Sequence, residues 1–250
     1  MSGAFLNLSA YRFVPLHDLP SLRQRLFDAA SALGLKGTVL LAEEGINLFV
    51  AAAPEAARRW LTLLREDRRF AALDVKHSFS AALPFRHLRV KVKHEIIRMN
   101  QPQVRPAAGR APAVDAPTLA RWLDAGHDDN GRPLVLLDTR NGFEVDAGAF
   151  DGAIDWRLAK FSDFPAQAAS RHAELAGRTV VTYCTGGIRC EKAALALREA
   201  GMADVWQLDG GILRYLEQVP GARHWHGRCF VFDQRESLDT DLAPSNGGRA

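Results

Sequence analysis

Cysteine is scarce in this chain of 250 residues: Cys184, Cys190 and Cys229 are the only three. So few, and an odd number, excludes a disulfide framework and points to a reducing compartment, where thiols do chemistry instead of stapling loops. Long apolar runs are absent as well, and none approaches the roughly 18 residues of a membrane span. The opening MSGAFLNLSAYRF lacks the basic segment and apolar core of a secretory signal. The expected location is therefore the cytoplasm, with no membrane partner. No internal repeat, dinucleotide fingerprint or His/His/carboxylate grouping at ligand spacing is present, so no resident cofactor is evident and no metal site is expected. His224 and His226 form the only close histidine pair, and they read as solvent-facing or packed on aromatics.

What is there is globular: 47% hydrophobic residues and 24% charged, in a chain long enough for two ordinary domains. The net charge of +3 hides an asymmetry. Residues 1–100 carry 15 Lys+Arg against 9 Asp+Glu, while residues 101–250 carry 17 against 20. A basic first part joined to a slightly acidic second part suggests two units with different partners. A polyanion, nucleic acid first, suits the basic one.

The first hundred residues alternate in type. Phe5–Leu16 reads as a strand, and His17–Leu33 as an amphipathic helix with Asp18 placed to cap it and Gly34 to stop it. Lys36–Ala42 and Ile46–Ala51 are β-rich runs joined by Glu43-Glu44-Gly45, a hairpin signal. Pro54–Arg65 is helical, Phe70–Phe79 holds a short extended run, and His87–His94 alternates strictly. The pattern is βαββαβ plus an edge strand, which specifies a ferredoxin-like α+β domain over residues 1–98. Residues 99–116, rich in Pro, Ala and Gly, read as a linker.

From residue 117 strands and helices alternate: helix Pro117–Ala125, buried strand Leu134–Asp138, a turn-rich stretch with Gly142, Gly148 and Gly152, and a short run Ala153–Trp156. Helix Phe164–Leu175, strand Thr179–Tyr183, helix Glu191–Ala200, strand Val205–Leu208 and helix Leu213–Gln218 follow. This is α/β patterning, with a parallel sheet covered on both faces, over residues 117–220. Residues 221–250 form a tail with one aromatic patch (HWHGRCFVF) and a polar end, SNGGRA, expected to be disordered.

The chemistry concentrates in VTYCTGGIRCEKA, residues 181–193. The strand delivers Cys184 to the carboxyl edge of the sheet, and residues 185–189 wrap beneath a helix N-terminus with their N–H groups inward. Gly186 and Gly187 permit the positive φ such a cradle needs. Oriented amides, the helix end and Arg189 all favour thiolate over thiol. Thr185, Gly186, Gly187 and Ile188 are the loop, and Cys184 and Arg189 its catalytic candidates. Cys190, in the first helical turn, is either a packing residue or a resolving thiol for Cys184. Asp138 and Arg140 read as a structural turn and ion pair, and Cys229 as core.

Four residues between cysteine and arginine make a smaller ring than the five of cysteine phosphatases, sized for a sulfur carried on the cysteine. That length resembles rhodanese sulfurtransferases. Asp138-Thr-Arg140, Glu144, Phe150-Asp-Gly-Ala-Ile154 and Leu208-Asp-Gly-Gly-Ile212 are similar to the rhodanese pattern around it. With Gly37-Thr-Val-Leu-Leu-Ala-Glu-Glu-Gly-Ile-Asn47 before it and Cys229-Phe-Val-Phe-Asp-Gln-Arg235 after it, the chain resembles the bacterial tRNA uridine hydroxylase family over residues 5–235. The resemblance implies oxygen-dependent hydroxylation of the wobble uridine of tRNA to 5-hydroxyuridine. Molecular oxygen would be co-substrate, tRNA the partner, and Cys184 the active-site residue and persulfide carrier; DNA is not an expected partner. Many relatives continue into a cysteine-rich tail with paired C-x-x-C motifs, and this sequence has none, so a structural metal is not expected.

An RNA substrate fits the strand His87–Lys93. His87, Arg89, Lys91 and Lys93 share one face, with Arg86 extending the stripe, while Leu88, Val90 and Val92 share the other. Such a stripe either tracks a phosphate backbone or is simply solvated. Phe79 and Phe85 are the nearest aromatics for base stacking. Two other functions stay open: a thiosulfate-type sulfurtransferase working through a Cys184 persulfide, and a module sensing redox state through Cys184 and Cys190.

Overall fold

The computed structural model describes residues 4–233 and 235–243, and the polar end expected to be disordered lies outside them. The chain forms two compact units, Met1–Arg98 and Met99–Ala250.

In the first unit β1 (Phe5–Phe13), β2 (Lys36–Ala42), β3 (Gly45–Ala52), β4 (Val75–Ser80) and β5 (Leu88–Val92) form one sheet in the order β4-β1-β3-β2-β5. Helices α1 (Leu19–Ala32) and α2 (Pro54–Glu66) cover one face. Strands alternate side chains across the sheet, so Leu6, Leu8, Ile46, Leu48, Val50, Val39, Leu41 and Val90 all face the helices. They meet Leu22 and Leu26 of α1 and Trp60, Leu61 and Leu64 of α2. Each large side chain so buried contributes about 1.5–3 kcal/mol. The β4-β1-β3-β2 core is antiparallel throughout, the ferredoxin-like arrangement, and β5 is added parallel to β2 at the edge.

Two details differ from expectation. Asp18 makes no side-chain cap on α1. Its carboxylate is taken instead by the Arg69 guanidinium, with Nη2 3.1 Å from Oδ2. The hairpin needs only Glu43 and Glu44 as its turn, because Gly45 already belongs to β3. At its φ of +148° a Cβ would lie 2.0 Å from the Arg12 carbonyl oxygen, so only glycine fits.

The second unit carries a parallel sheet of β6 (Ala113–Val114), β7 (Leu134–Asp138), β9 (Ile154–Asp155), β10 (Thr179–Tyr183) and β11 (Val205–Leu208), in the order β6-β11-β10-β7-β9. Its helices are α3 (Ala116–Ala125), α4 (Gly142–Ala147), α5 (Phe164–Arg171), α6 (Ile188–Glu199) and α7 (Gly211–Gln218). β8 (Gly148–Phe150) pairs with β12 (Trp225–Gly227), and β13 (Cys229–Phe230) with β14 (Ser237–Leu238). The stretch 99–116 supplies the edge strand β6 and the cap of α3, where the Asp115 carboxylate accepts the Thr118 N–H at 2.8 Å.

The turn-rich stretch after β7 contains α4. The Asn141 N–H donates to Glu144 Oε2 at 3.1 Å and the Glu144 N–H to the Asn141 carbonyl at 2.9 Å, enough to nucleate a short helix. The tail is not separate from the sheet domain, because β12 pairs along β8. Helix α5 gives way to a 3-10 turn at His172–Leu175, and α6 begins at Ile188, three residues earlier than its apolar pattern suggests.

Asp138 and Arg140 are structural, as expected of that turn. Both side chains are fully buried, with Arg140 Nη2 2.6 Å from Asp138 Oδ2. The guanidinium also donates to the carbonyls of Gly148 (2.7 Å) and Glu144 (3.2 Å), and it lies over the rings of Tyr183 and Trp225. It therefore ties β7 to α4, β8 and the tail. Truncating Arg140 to Met strands a buried carboxylate, and the expected loss is about 3–5 kcal/mol of unfolding free energy. Denaturant melting checks it, and a variant as stable as the parent refutes this account of the turn.

Candidate active site

β10 is the central strand of the parallel sheet, and its carboxyl end carries Cys184. The chain then turns through Thr185, Gly186 and Gly187 and enters α6 at Ile188. Of the two glycines only Gly187 takes a positive φ, +105°, and there it starts the helix. The Gly187 N–H lies 3.2 Å from Cys184 Sγ. The loop carbonyls are held from the other side. The first amides of α7, Ile212 and Leu213, donate to the carbonyls of Cys184 (2.9 Å) and Thr185 (3.1 Å). Gly211 makes this approach possible, because a Cβ there would sit 2.4 Å from the Cys184 carbonyl oxygen. The Thr185 hydroxyl, buried in the same loop, has no hydrogen-bond partner.

The ring expected from the sequence is built differently in two respects. Arg189 does not close it on the sulfur. Its guanidinium makes a fork with the fully buried Glu144 carboxylate, Nη1–Oε2 2.6 Å and Nη2–Oε1 2.7 Å. A buried guanidinium needs a counter-charge, and a carboxylate matches its geometry better than a single sulfur. Nor does Cys184 reach solvent: the residue is 0% exposed. Whatever leaves this site must be carried outward from Sγ.

The sulfur is nevertheless poised for ionisation. Burial opposes the anion, but the Cys190 thiol, the Arg189 charge and the Gly187 N–H outweigh it and lower the Cys184 thiol to about 5. Cys190 Sγ lies 3.8 Å from Cys184 Sγ and 3.1 Å from the Gly187 carbonyl oxygen. Burial, together with the neighbouring sulfur, pushes Cys190 well above the ordinary thiol value. The shifts favour the anion at Cys184 and keep the thiol at Cys190, whose S–H donates to the Gly187 carbonyl, a division that neither residue type reveals alone. Cys229 is buried in the core, pushed up to about 12 by burial.

The remaining residues fall elsewhere. His224 and His226 do not converge, since they pair with different carboxylates, Asp124 at 2.7 Å and Asp151 at 2.9 Å. Among the described residues no group of three or more His, Cys, Asp or Glu is disposed to hold a metal. Arg86, His87, Arg89, Lys91 and Lys93 are all exposed in and beside β5 of the first unit, and Cys184 belongs to the second unit. Phe79 packs against the core of its unit and is no stacking platform. Phe49 is an exposed aromatic on the basic face. Arg89 pairs with Thr38, and Thr38 with Phe49, so the three stand in one row on the face without helices. Phe49 is 37% exposed there. No local pattern could reveal a row made from residues forty positions apart. Glu144 was legible only as one letter of a motif.

A strand-end cysteine cradled at a helix N-terminus on a five-stranded parallel sheet defines a rhodanese-like thiol site. Residues 118–218 match the rhodanese-like domain model, and residues 5–96 the UPF0176 acylphosphatase-like domain model. The chain is 61% identical over 95% of its length to a tRNA uridine(34) hydroxylase of Variovorax paradoxus, covering 90% of that protein. It is 56% identical over 97% of its length to one of Bordetella petrii, covering 96% of it. Among solved structures, the rhodanese-like domain of an Anabaena protein is similar at 25% identity, over 46% of this chain and 79% of that one, with a TM-score of 0.37. The chain belongs to the tRNA uridine(34) hydroxylase family.

At pH 7 an ordinary thiol, titrating near 8.5, is mostly protonated. Because the Cys184 value is lowered, its anion forms as pH rises past about 5 and persists above. Thiolate ultraviolet absorbance, measured as parent minus Cys184→Ser across pH, should show that early step. A single step in the ordinary thiol range contradicts the cradle.

Proposed function

We propose that this chain hydroxylates C5 of uridine 34 in tRNA, with Cys184 as the reacting sulfur and molecular oxygen as co-substrate. The observation carrying this reading is Cys184 Sγ, buried at the strand end within 3.2 Å of the Gly187 N–H and 3.8 Å of Cys190 Sγ, in a chain whose relatives in the family are named for that reaction. The balance is strict. Replacing a C5–H bond with C5–OH takes one atom of O₂, and the other leaves as water with two electrons and two protons. The Cys184 and Cys190 pair can supply the electrons: closing a disulfide between the Cys184 thiolate and the Cys190 thiol across their 3.8 Å separation releases two electrons and one proton, and the second proton is drawn from solvent. A cellular thiol then restores the pair by exchange. Cys184 is shut from solvent, so the atom that meets the uracil is one carried on Sγ.

The rhodanese match keeps sulfur transfer through a Cys184 persulfide as the second reading. A thiosulfate:cyanide assay run beside tRNA nucleoside analysis separates the two. The first unit supplies the polyanion face: Arg86, His87, Arg89, Lys91 and Lys93 contact phosphates, and Phe49 stands in their row. A tRNA substrate supports a cytoplasmic location; no helix among the described residues is long and apolar enough to cross a membrane.

In a strain lacking the gene, the parent restores 5-hydroxyuridine to tRNA and Cys184→Ser does not. Cys190→Ser, which keeps a donor beside Cys184 but removes the two-electron couple, fails as well. Nucleoside mass spectrometry reads both, and unchanged 5-hydroxyuridine with Cys184→Ser removes the cysteine from the reaction. Arg89→Gln and Lys91→Gln should each flatten the slope of log affinity for tRNA against log salt by about 0.7–0.9. An unchanged slope marks a face that is only solvated.

A further inference from the structure

Phe143 and Phe232 are 50% and 54% exposed, the two largest exposures among the bulky apolar residues. Phe143 lies in α4, one residue before Glu144, the partner of Arg189. Phe232 follows β13, and Arg189 Cζ stands 5.7 Å from its ring centroid. Partly buried Phe230 props both, with centroid separations of 5.1 Å to Phe143 and 5.2 Å to Phe232. Phe143 and Phe232 are 6.4 Å apart and nearly perpendicular, at 88°.

The result is an aromatic corner, half open to solvent, built on the guanidinium that also lowers Cys184. Exposed rings clustered at one point in a chain with few other exposed apolar side chains mark a recognition site. Its chemistry narrows the ligand. Arg189 is already committed in both hydrogen-bonding directions to Glu144, so the corner offers ring faces and edges, not an open cation for a phosphate. A flat, uncharged heterocycle fits, and every nucleobase has a π-face that stacks on such a ring. Arg189 joins the corner to the thiol loop: it stands over the Phe232 ring and sits in the first turn of α6, the helix that the Cys184 loop enters.

We propose that Phe143 and Phe232 seat the target pyrimidine base beside Cys184, unstacked from its neighbours in the RNA loop. The inference rests on the reading of the chain as a tRNA hydroxylase and adds to it the base subsite. The backbone phosphates are then held elsewhere, and the base enters the corner edgewise.

The test is photocrosslinking of the full chain with an anticodon stem–loop RNA carrying 5-iodouridine at the wobble position. Peptide mass spectrometry should find the uracil on Phe232 or Phe143, and crosslinks confined to other residues overturn the proposal. Phe232→Leu keeps the apolar bulk and removes the ring. It should cut kcat/KM for hydroxylation by about 5- to 150-fold, the range that one base stacked on one aromatic ring spans. Phe232→Tyr should restore it, and parental activity in Phe232→Leu counts against the subsite. Phe232→Leu must keep the Cys184 thiolate titration; if it does not, the crosslink position alone decides. A parent protein that crosslinks at the corner yet leaves tRNA unhydroxylated refutes the reaction and keeps the base site.

Discussion

The fork between Glu144 and Arg189 is the interaction on which the site depends. A guanidinium shut from solvent is tolerable only beside a matched anion, and the structure supplies one from α4, forty-five positions earlier in the chain. That pairing joins the short helix after β7 to the helix after β10. It fixes a positive charge near Cys184 without letting it collapse onto the sulfur. The carboxylate is itself positioned by the N–H of Asn141, so a three-residue cap at the start of α4 bears on a thiol across the sheet. Glu144 is therefore a positioning residue.

The sulfur is governed by a contest of effects. Burial favours the neutral thiol, and hydrogen bonds with charge favour the anion; the anion prevails. The second sulfur settles the matter. Held protonated by its own burial, Cys190 donates to the Gly187 carbonyl and lies 3.8 Å from Cys184 Sγ. One geometry thus sets an acidic sulfur beside a protonated one in a buried site.

Much of this was legible in the residues, and the reasons are physical. Alternation in β1 to β5 and the continuous apolar runs of β7 and β10 are dictated by which faces are buried, so they survive as patterns in the chain. The thiol loop was legible for a similar reason: glycine and cysteine at a strand end have few other uses. What stayed hidden was relational. The partner of Arg189, the six-residue helix α4 and the row joining Arg89 to Phe49 depend on pairing between distant segments. Asp18 shows the converse, a residue of the right type in the right place whose carboxylate was claimed by Arg69.

One feature of the first unit reaches beyond substrate binding. β5 is the last strand of its sheet, parallel to β2, and among the described residues no strand pairs on its outer side. Such a border is a template for unwanted polymerisation of one molecule onto another. Here it is fringed with lysine and arginine, so two copies approaching edge to edge repel before their backbones can join. Attraction to a nucleic acid and protection against fibre growth would then be the same design, and neutralising the stripe would trade affinity and colloidal safety away at once.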